Sequence, residues 1–303
     1  MPYLSFLFIC LTWGTSFILM DRAAMALGPL SIGMFRLLGG ALVLGLFWWW
    51  KRPCVHIAPS DWIHILLVGL LANAWPFTVL PFVMTQANEH GYFGLMVTLV
   101  PLVTILVSIP MLGIWPTARQ MIGVTGGLVC LAGVVQDGAQ RGIAPWVLAL
   151  ALTVPLAYAT GNAYIKWKLD HLPALPLTVL FLAFGGLLLV PLQFAPVFLK
   201  ETGLGGPAQP HGWPMAIVSI SLLAMLSTGL AILLFIQLVK RQGPLFAGMV
   251  TYVIPLVALV WGQYDSERLT TLQLAAMAGT LCMVAMVQWG AAKSPPPQGE
   301  PLA

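Results

Sequence analysis

Three polar side chains inside long apolar runs are the groups in this chain best suited to bind a small molecule. Arg36 is the one charged residue within an apolar span, and Asn73 and Asn162 lie within two others. Such groups are costly in a bilayer unless they face a bundle interior or water. Each asparagine supplies both donors and an acceptor. Arg36 could extend its charged end towards the membrane surface, or it could bind a substrate carboxylate or helix-end carbonyls in a cavity.

Aromatic side chains add to this prediction. Ten of the 12 tryptophans lie near the ends of predicted spans, as in the aromatic belt of a membrane protein. Trp13 and Trp75 instead lie near the middle of their spans, where an indole N–H needs an acceptor. A cavity, a substrate or a neighbouring helix carbonyl could supply that acceptor. The candidate substrate-binding residues are Trp13, Thr15, Arg36, Asn73, Trp75, Tyr158, Asn162 and Tyr252.

The sequence contains no pattern typical of an enzyme active site. It has no GxSxG or HExxH segment and no cluster of Asp or His, one of which a hydrolase or a metalloenzyme would be expected to carry. We therefore expect no catalytic residues, no metal site and no cofactor. The alternative from another class is an intramembrane enzyme that acts on a lipid or a lipid-linked substrate.

The composition indicates which kind of protein must position these side chains. Only 7% of the 303 residues are charged, 59% are hydrophobic, and the mean hydropathy is +0.93. So few charges cannot cover the surface of a soluble globule of this length. The basic residues behind the net charge of +4 are scattered and form no phosphate-binding patch. The composition excludes a soluble enzyme, a disordered protein and a nucleic-acid binder, and it indicates an integral membrane protein.

Ten apolar runs of about the length of a transmembrane helix organise the chain. They cover residues 3–20, 29–50, 62–85, 91–112, 117–136, 145–165, 173–195, 213–238, 245–262 and 270–290. The Gly- and Pro-rich segment 196–212 is expected to be a loop, and residues 293–303 a disordered cytoplasmic tail.

The distribution of basic residues predicts the orientation. With the N-terminus in the cytoplasm, eight Lys and Arg fall on the inner side and four on the outer side. This bias predicts a multi-pass protein of the cell (inner) membrane with both termini cytoplasmic. Its expected partners are the lipid bilayer and a small-molecule substrate, without nucleic acid.

The two halves of the sequence resemble each other. The triplet Pro101-Leu102-Val103 matches Pro255-Leu256-Val257, and we predict one five-helix repeat at 1–138 and a second at 139–292. Because five is an odd number of spans, the second repeat must enter the membrane upside down, as in many secondary transporters. The matched Pro101 and Pro255 are candidate hinges, since a proline removes a hydrogen bond and bends its helix.

Four short motifs follow one another along nearly the whole chain. They are Trp13-Gly14-Thr15-Ser16-Phe17, Phe35-Arg36-Leu37 with Gly39-Gly40, Thr85-Gln86-Ala87 followed by Pro101, and Glu267-Arg268-Leu269-Thr270 with Gln273. In this order they resemble the ten-helix EamA family of the drug/metabolite transporter superfamily. The resemblance implies an all-α integral membrane fold, in which ten transmembrane helices form two inverted five-helix repeats around a central cavity. It also implies export of amino acids or other small organic metabolites.

The first half departs from that family's pattern at one position. Ile114 stands where a counterpart of Glu267 would be expected, so Glu267 is better explained as a helix-terminus cap than as a transport residue. No span contains a carboxylate, which leaves proton coupling at Asp21, Glu89 or His90, or uncoupled export. The substrate could be an amino acid, a sugar, a nucleoside or an amphiphilic metabolite, and the protein could be a monomer or a homodimer.

Overall fold

The computed structural model describes residues 2–51, 55–113, 115, 117–242, 247, 250–267 and 270–288. These residues form ten apolar helices: α1 (Pro2–Ala24), α2 (Pro29–Lys51), α3 (Asp61–Ala87), α4 (Tyr92–Leu112), α5 (Ala118–Gln140), α6 (Pro145–Lys168), α7 (Ala174–Phe194), α8 (Trp213–Arg241), α9 (Val250–Tyr264) and α10 (Thr271–Gln288). Eight are long and apolar enough to cross a membrane, and the described parts of α9 and α10 are shorter. The all-α, multi-pass fold predicted from the sequence is confirmed.

Several helices run beyond the apolar windows of the sequence. α1 ends at Ala24 rather than at residue 20, and α6 ends at Lys168 rather than at residue 165. The added residues include charged ones, which the end of a membrane helix tolerates because their side chains reach the polar interface. For α1 and α6, hydropathy therefore locates the span but underestimates the length of the helix.

The segment 196–212 is not entirely a loop, contrary to the prediction. Pro196–Thr202 forms a short helix, which Gly203 ends with a φ of 71°. Proline fits the first turn of a helix, and glycine fits the left-handed residue that follows its last turn. Proline and glycine, which suggested a loop here, instead lie at the beginning and just after the end of a short helix. The expected tail, 293–303, lies outside the described residues.

The helix contacts have the two-fold pattern that the sequence repeat predicts. α2 packs against α7 and α5 against α10, and each of these pairs joins equivalent helices of the two halves. α1 packs against α9, just as their equivalents α6 and α4 pack against each other. Likewise α2 packs against α8, and α7 against α3. Exchanging the halves leaves this set of contacts unchanged, which fits two five-helix repeats.

Glycines bring two of these helix pairs into backbone contact. Gly40 of α2 lies so close to α8 that an added methyl group would be 3.1 Å from the Gly229 nitrogen. Gly185 of α7 lies closer still to α3, because an added methyl group would be 2.7 Å from the Gly69 oxygen. Small residues at such crossings allow the backbones of membrane helices to approach each other.

The two halves also share an interruption in equivalent helices. α3 contains the π-helical segment Leu70–Ala74, and α8 contains the π-helical segment Leu223–Leu230. In α3 a cause is visible in the sequence, because Pro76 has no N–H and its ring would clash with the carbonyl of Ala72 in a regular helix. π-Helical turns are rare and frequent at functional sites, and both segments lie beside the glycine contacts inside the bundle.

Candidate substrate-binding cavity

A cavity of about 100 Å³ lies inside the bundle, and helices of both halves form its wall. It is lined by five of the eight candidate residues, which are Trp13, Arg36, Asn73, Tyr158 and Asn162. Most of the remaining wall is apolar and includes the rings of Phe77, Phe181 and Phe235. Five of the predicted residues therefore border one space between the helices, and their role in substrate binding stays a prediction.

Arg36 faces this cavity rather than the membrane surface. The residue is only 5% exposed, and its guanidinium carbon lies 4.4 Å from the centre of the Phe77 ring. Its Nε donates to the hydroxyl of Thr228 at 3.3 Å, and its Nη1 lies 2.9 Å from the sulfur of Met20. Of the two positions expected from the sequence, the membrane surface and a cavity, the structure shows the second, and substrate binding by Arg36 stays a prediction.

Trp13 lines the cavity while its indole is bound to a neighbouring helix. The Nε1–H donates to the backbone oxygen of Ser227 at 2.8 Å, and the ring packs at 5.0 Å from that of Phe235. Ser227 belongs to the π-helical segment of α8. The acceptor for this partly buried indole is therefore a helix carbonyl, one of the alternatives expected from the sequence.

The amide and phenol groups of the wall differ in their partners. Asn73 lies in the π-helical segment of α3, and its Nδ2 donates to the backbone oxygen of Val68 at 3.0 Å. Tyr158 and Asn162 form no side-chain hydrogen bond within the part of the chain that the structure describes. Their polar atoms remain available to a molecule in the cavity.

Three candidate residues are not brought to the described cavity wall. Trp75 is 44% exposed and donates to the hydroxyl of Thr153 at 2.9 Å. It directly follows the π-helical segment of α3, whose extra residue per turn rotates the residues after it about the helix axis. Thr15 faces α9 and accepts a hydrogen bond from Trp261 at 3.0 Å. The side chain of Tyr252 lies outside the described residues.

Sequence reasoning missed three residues that contact Arg36. They are Met20, Phe77 and Thr228. Met20 and Phe77 have no sequence signal, because apolar residues are ordinary in membrane helices. Thr228 has one, since Ser227 and Thr228 form a polar pair within an otherwise apolar stretch of α8.

The described cavity wall lacks the side chains that most often carry acid–base or metal chemistry. It contains no Asp, Glu, His, Cys or Lys. Elsewhere, the described residues contain no group of three or more His, Cys, Asp or Glu placed to hold a metal ion. What the wall can do chemically is bind, through one guanidinium, neutral amide and hydroxyl groups, and aromatic surfaces.

A second polar cluster, which we call the charged rim, joins loops at one end of the bundle. It consists of Asp21, Arg22, Glu89, His90, Asp137, Arg141, Asp265 and Glu267. These residues come from the end of α1, the α3–α4 and α9–α10 connections, and the junction of α5 with α6. The rim therefore connects the two halves, at the end that the basic-residue bias predicts to be outside.

Arg141 is the centre of one side of the rim. Its guanidinium donates to both carboxylate oxygens of Glu89 at 3.0 Å, to Asp137 at 2.7 Å and to the side-chain oxygen of Gln273 at 2.7 Å. Asp137 also accepts from the hydroxyl of Thr270. Burial raises the pKa of the Glu89 carboxyl above its usual range, although Arg141 opposes this shift.

Asp265 is the centre of the other side. It forms an ion pair with Arg22, and its carboxylate oxygen lies 2.8 Å from Nε2 of His90. Burial alone would raise the pKa of Asp265, but the hydrogen bonds from Arg22 and His90 outweigh it and lower the pKa. Glu267 accepts the backbone N–H of His90 at 2.7 Å. Through this contact Glu267 satisfies a backbone donor at the start of α4.

The two candidate hinge prolines are both buried in their helices. Pro101 follows the 3-10 turn Val97–Leu99 that interrupts α4, and Pro255 lies inside α9. Each proline thus lies in a helix that contributes to the cavity wall, through Val97 and Val100 in α4 and through Ile254 in α9.

At the end opposite the rim, one lysine holds a helix terminus. Nζ of Lys240 donates to the backbone oxygens of Leu169, Asp170 and Leu172 at 3.0, 2.8 and 2.7 Å. A cation is favourable at the carbonyl end of a helix. This contact ties the end of α8 to the α6–α7 connection.

Comparison with known proteins relates both halves to one family. The model of the EamA-like transporter family matches residues 1–136 and 145–289. A WAT1-related, chloroplastic protein of Arabidopsis thaliana is 22% identical over 286 residues, which cover 91% of this chain and 67% of that protein. A crystal structure of another protein, 18% identical, has a TM-score of 0.68 and covers 96% of this chain and 97% of its own. This last likeness concerns the fold alone.

Proposed function

The chain belongs to the EamA-like transporter family, and from this premise we propose that it exports a small organic metabolite, such as an amino acid, by alternating access. The family match and the ten apolar helices identify it as a multi-pass membrane protein of a transporter family. The proposal adds the type of substrate and the direction of transport.

The observation that carries the proposal is the cavity between the two halves. It is lined by α1–α4 of the first half and α6–α9 of the second, and it contains a cation, two amides and several aromatic rings. Substrate sites of secondary transporters lie at the interface of their repeats, near interrupted helices. Here the π-helical segment of α3 supplies Asn73 to the wall, and that of α8 supplies the Ser227 carbonyl that holds the Trp13 indole.

Alternating access requires that one half rock against the other. The π-helical segments of α3 and α8, with Pro101 and Pro255, are the places where four helices of the cavity wall lack regular hydrogen bonding. We propose that these positions accommodate the bending. These positions occupy equivalent helices of the two inverted halves. A bend in one half would therefore open the cavity to one side of the membrane, and the same bend in the other half would open it to the opposite side.

The proposed location is the cell (inner) membrane, with both termini in the cytoplasm and the protein a monomer or a homodimer. In this orientation the charged rim lies outside, and its ion pairs between the halves must separate when substrate leaves on that side. Proton coupling, if present, would use the rim carboxylates, because the described cavity wall has none.

Efflux from proteoliposomes tests the proposal. Vesicles containing the purified protein are loaded with a panel of radiolabelled metabolites, and efflux is compared for wild type, Trp13→Ala and Trp75→Ala. We expect wild type to export at least one compound, Trp13→Ala to lose most of this activity, and Trp75→Ala to keep it. Trp75 is a matched control because its indole also bonds a neighbouring helix but lies away from the cavity wall.

Two results would contradict the proposal. One is the absence of protein-dependent transport of every compound in the panel. The other is equal transport by wild type and Trp13→Ala, which would remove the cavity from the transport path.

A further inference from the structure

The cavity contains a positive charge that no carboxylate of the described residues neutralises. None of the ion pairs formed by the described residues includes Arg36. No described residue of the cavity wall is acidic. The nearest partners of the guanidinium are a hydroxyl, a thioether sulfur and the face of a phenyl ring.

This arrangement is energetically unusual for a buried cation. A buried charge is normally paired with an opposite charge, because removing an ion from water costs several kcal/mol. A hydroxyl group and a ring face recover only part of this cost. The thioether sulfur of Met20 is a weak acceptor. Arg36 therefore remains under-compensated in the structure as it stands.

An anionic ligand in the cavity would supply the missing charge. We propose that the cavity binds a small organic monoanion of the carboxylate class, whose carboxylate pairs with Arg36 and whose apolar body lies against Phe77 and Phe235. This inference rests on the proposed function, since it names the class of compound that the transport site takes. The guanidinium suits a carboxylate because its donors match both oxygens.

The same wall disfavours the ammonium group of an amino acid or an amine. The acceptors of the described wall that could face such a group are all neutral side chains, and they belong to Ser16, Asn73, Tyr158, Asn162 and Thr251. Neutral acceptors leave a desolvated ammonium without charge compensation. This narrows the proposed function: among small organic metabolites, the site is better matched to a simple carboxylate, which pairs with Arg36, than to an amino acid or an amine, whose ammonium group has no anionic partner in the described wall.

The volume limits the size of the apolar body. The cavity measures about 100 Å³, whereas an engineered protein cavity that binds benzene measures about 150 Å³. In this conformation the space suits a short or branched aliphatic chain. It favours acids of a few carbons over aromatic acids.

Ligand-dependent unfolding of the purified protein tests the class of ligand. The probes are acetate, butyrate, isovalerate and hexanoate, each with its matched amide and amine, at constant ionic strength and pH. Tm is followed against probe concentration for wild type, Arg36→Met and Arg119→Met. Arg119 is an exposed arginine of α5 outside the cavity wall, and it controls for the loss of one positive charge.

We expect at least one carboxylate to raise Tm of wild type and of Arg119→Met, while its amide and amine do not. In Arg36→Met the Kd for that acid should weaken roughly 10- to 150-fold, as for the loss of a hydrogen-bonded charge. Without ligand, Arg36→Met should unfold at a higher temperature than wild type. This rise would show that the loss of binding is not caused by misfolding.

The outcomes separate this inference from the proposed function. Equal stabilisation by the amide or the amine, no stabilisation of wild type by any acid, or an unchanged response in Arg36→Met would overturn the carboxylate class. Failure of the efflux assay with every metabolite, together with a carboxylate response that needs Arg36, would overturn transport and leave the anion site standing.

Discussion

α2 and α7 occupy equivalent places in the two halves but present different side chains. Aligning Gly39-Gly40 with Gly185-Gly186 makes Leu182 the counterpart of Arg36. Both residues are buried, Arg36 beside the cavity and Leu182 with no exposed surface. Gly39 and Gly40 bring α2 against the π-helical segment of α8, and Gly185 brings α7 against that of α3, in each case a helix of the other half. The backbone arrangement is thus duplicated, while the charge is not.

α3 and α8 likewise share a backbone feature but differ in the polar groups that they contribute. Each carries a π-helical segment, although only α3 has a proline, Pro76, within two residues of the segment's end. Asn73 contributes an amide from one segment, and Ser227 and Thr228 contribute a carbonyl and a hydroxyl from the other. The repeated π-helical segments suit a movement that both halves share. The polar groups that differ between the halves suit a ligand that has no two-fold symmetry.

Moving the charge to the other half is the most severe test of this comparison. Leu182→Arg should lower the free energy of unfolding by more than about 5 kcal/mol, because it buries an unpaired charge and its larger side chain overpacks the site. The measurement is the yield of monodisperse protein in size-exclusion chromatography. Leu182→Met, which nearly keeps the volume, should behave as wild type. A stable Leu182→Arg protein would mean that the two positions are interchangeable.

The rim provides a test at the junction of the halves. Arg141→Met should cost about 3–5 kcal/mol, because it leaves Asp137, whose side chain is 1% exposed, without its cation. The thermal unfolding midpoint in detergent measures this loss. Arg119→Met, at an exposed position of α5, should have almost no effect. Similar midpoints for both variants would show that the rim does not hold the halves together.

The two glycine contacts can be compared directly. An added methyl at Gly185 would come within 2.7 Å of the Gly69 oxygen, whereas one at Gly40 would lie 3.1 Å from its nearest atoms in α8. Gly185→Ala should therefore destabilise by about 2–3 kcal/mol, and Gly40→Ala by about 1 kcal/mol. Unfolding midpoints of the two variants rank them. The reverse order would indicate that α2 and α8 are the more rigid pair.

The smallest expected effect is a pH dependence at the rim. The lowered pKa of Asp265 means that its carboxylate stabilises the folded state above the unfolded pKa of about 3.9. This contribution is lost as the pH falls through the lower pKa of the folded state. Asp265→Asn should thus unfold earlier than wild type at pH 6, by about 1 kcal/mol, and the difference should shrink below about pH 4.

The control for this titration is Glu201→Gln, since Glu201 is exposed and lies outside the rim. Its midpoint should follow that of wild type at every pH. A gap between wild type and Asp265→Asn that stays constant down to pH 3 would contradict the assigned role of the charge.

The sequence predicted much of the cavity, but it could not separate residues of equal depth. Trp13 and Trp75 lie at similar depths in their spans, yet Trp13 lines the cavity and Trp75 does not. The difference arises from the π-helical segment before Trp75, and a change of helix type alters which face a residue occupies. Thr15 was expected beside Trp13 in the site, but its hydroxyl serves Trp261.

The sequence by itself determined the ten spans, the repeat and the scarcity of charge. These properties are local, because each span must satisfy its own backbone hydrogen bonds and present apolar side chains to lipid. Only the tertiary structure decided which polar groups meet. Arg36 contacts Thr228, 192 positions later, and Arg141 contacts Gln273, 132 positions later. Such contacts depend on how the helices pack and rotate, which composition and periodicity do not specify.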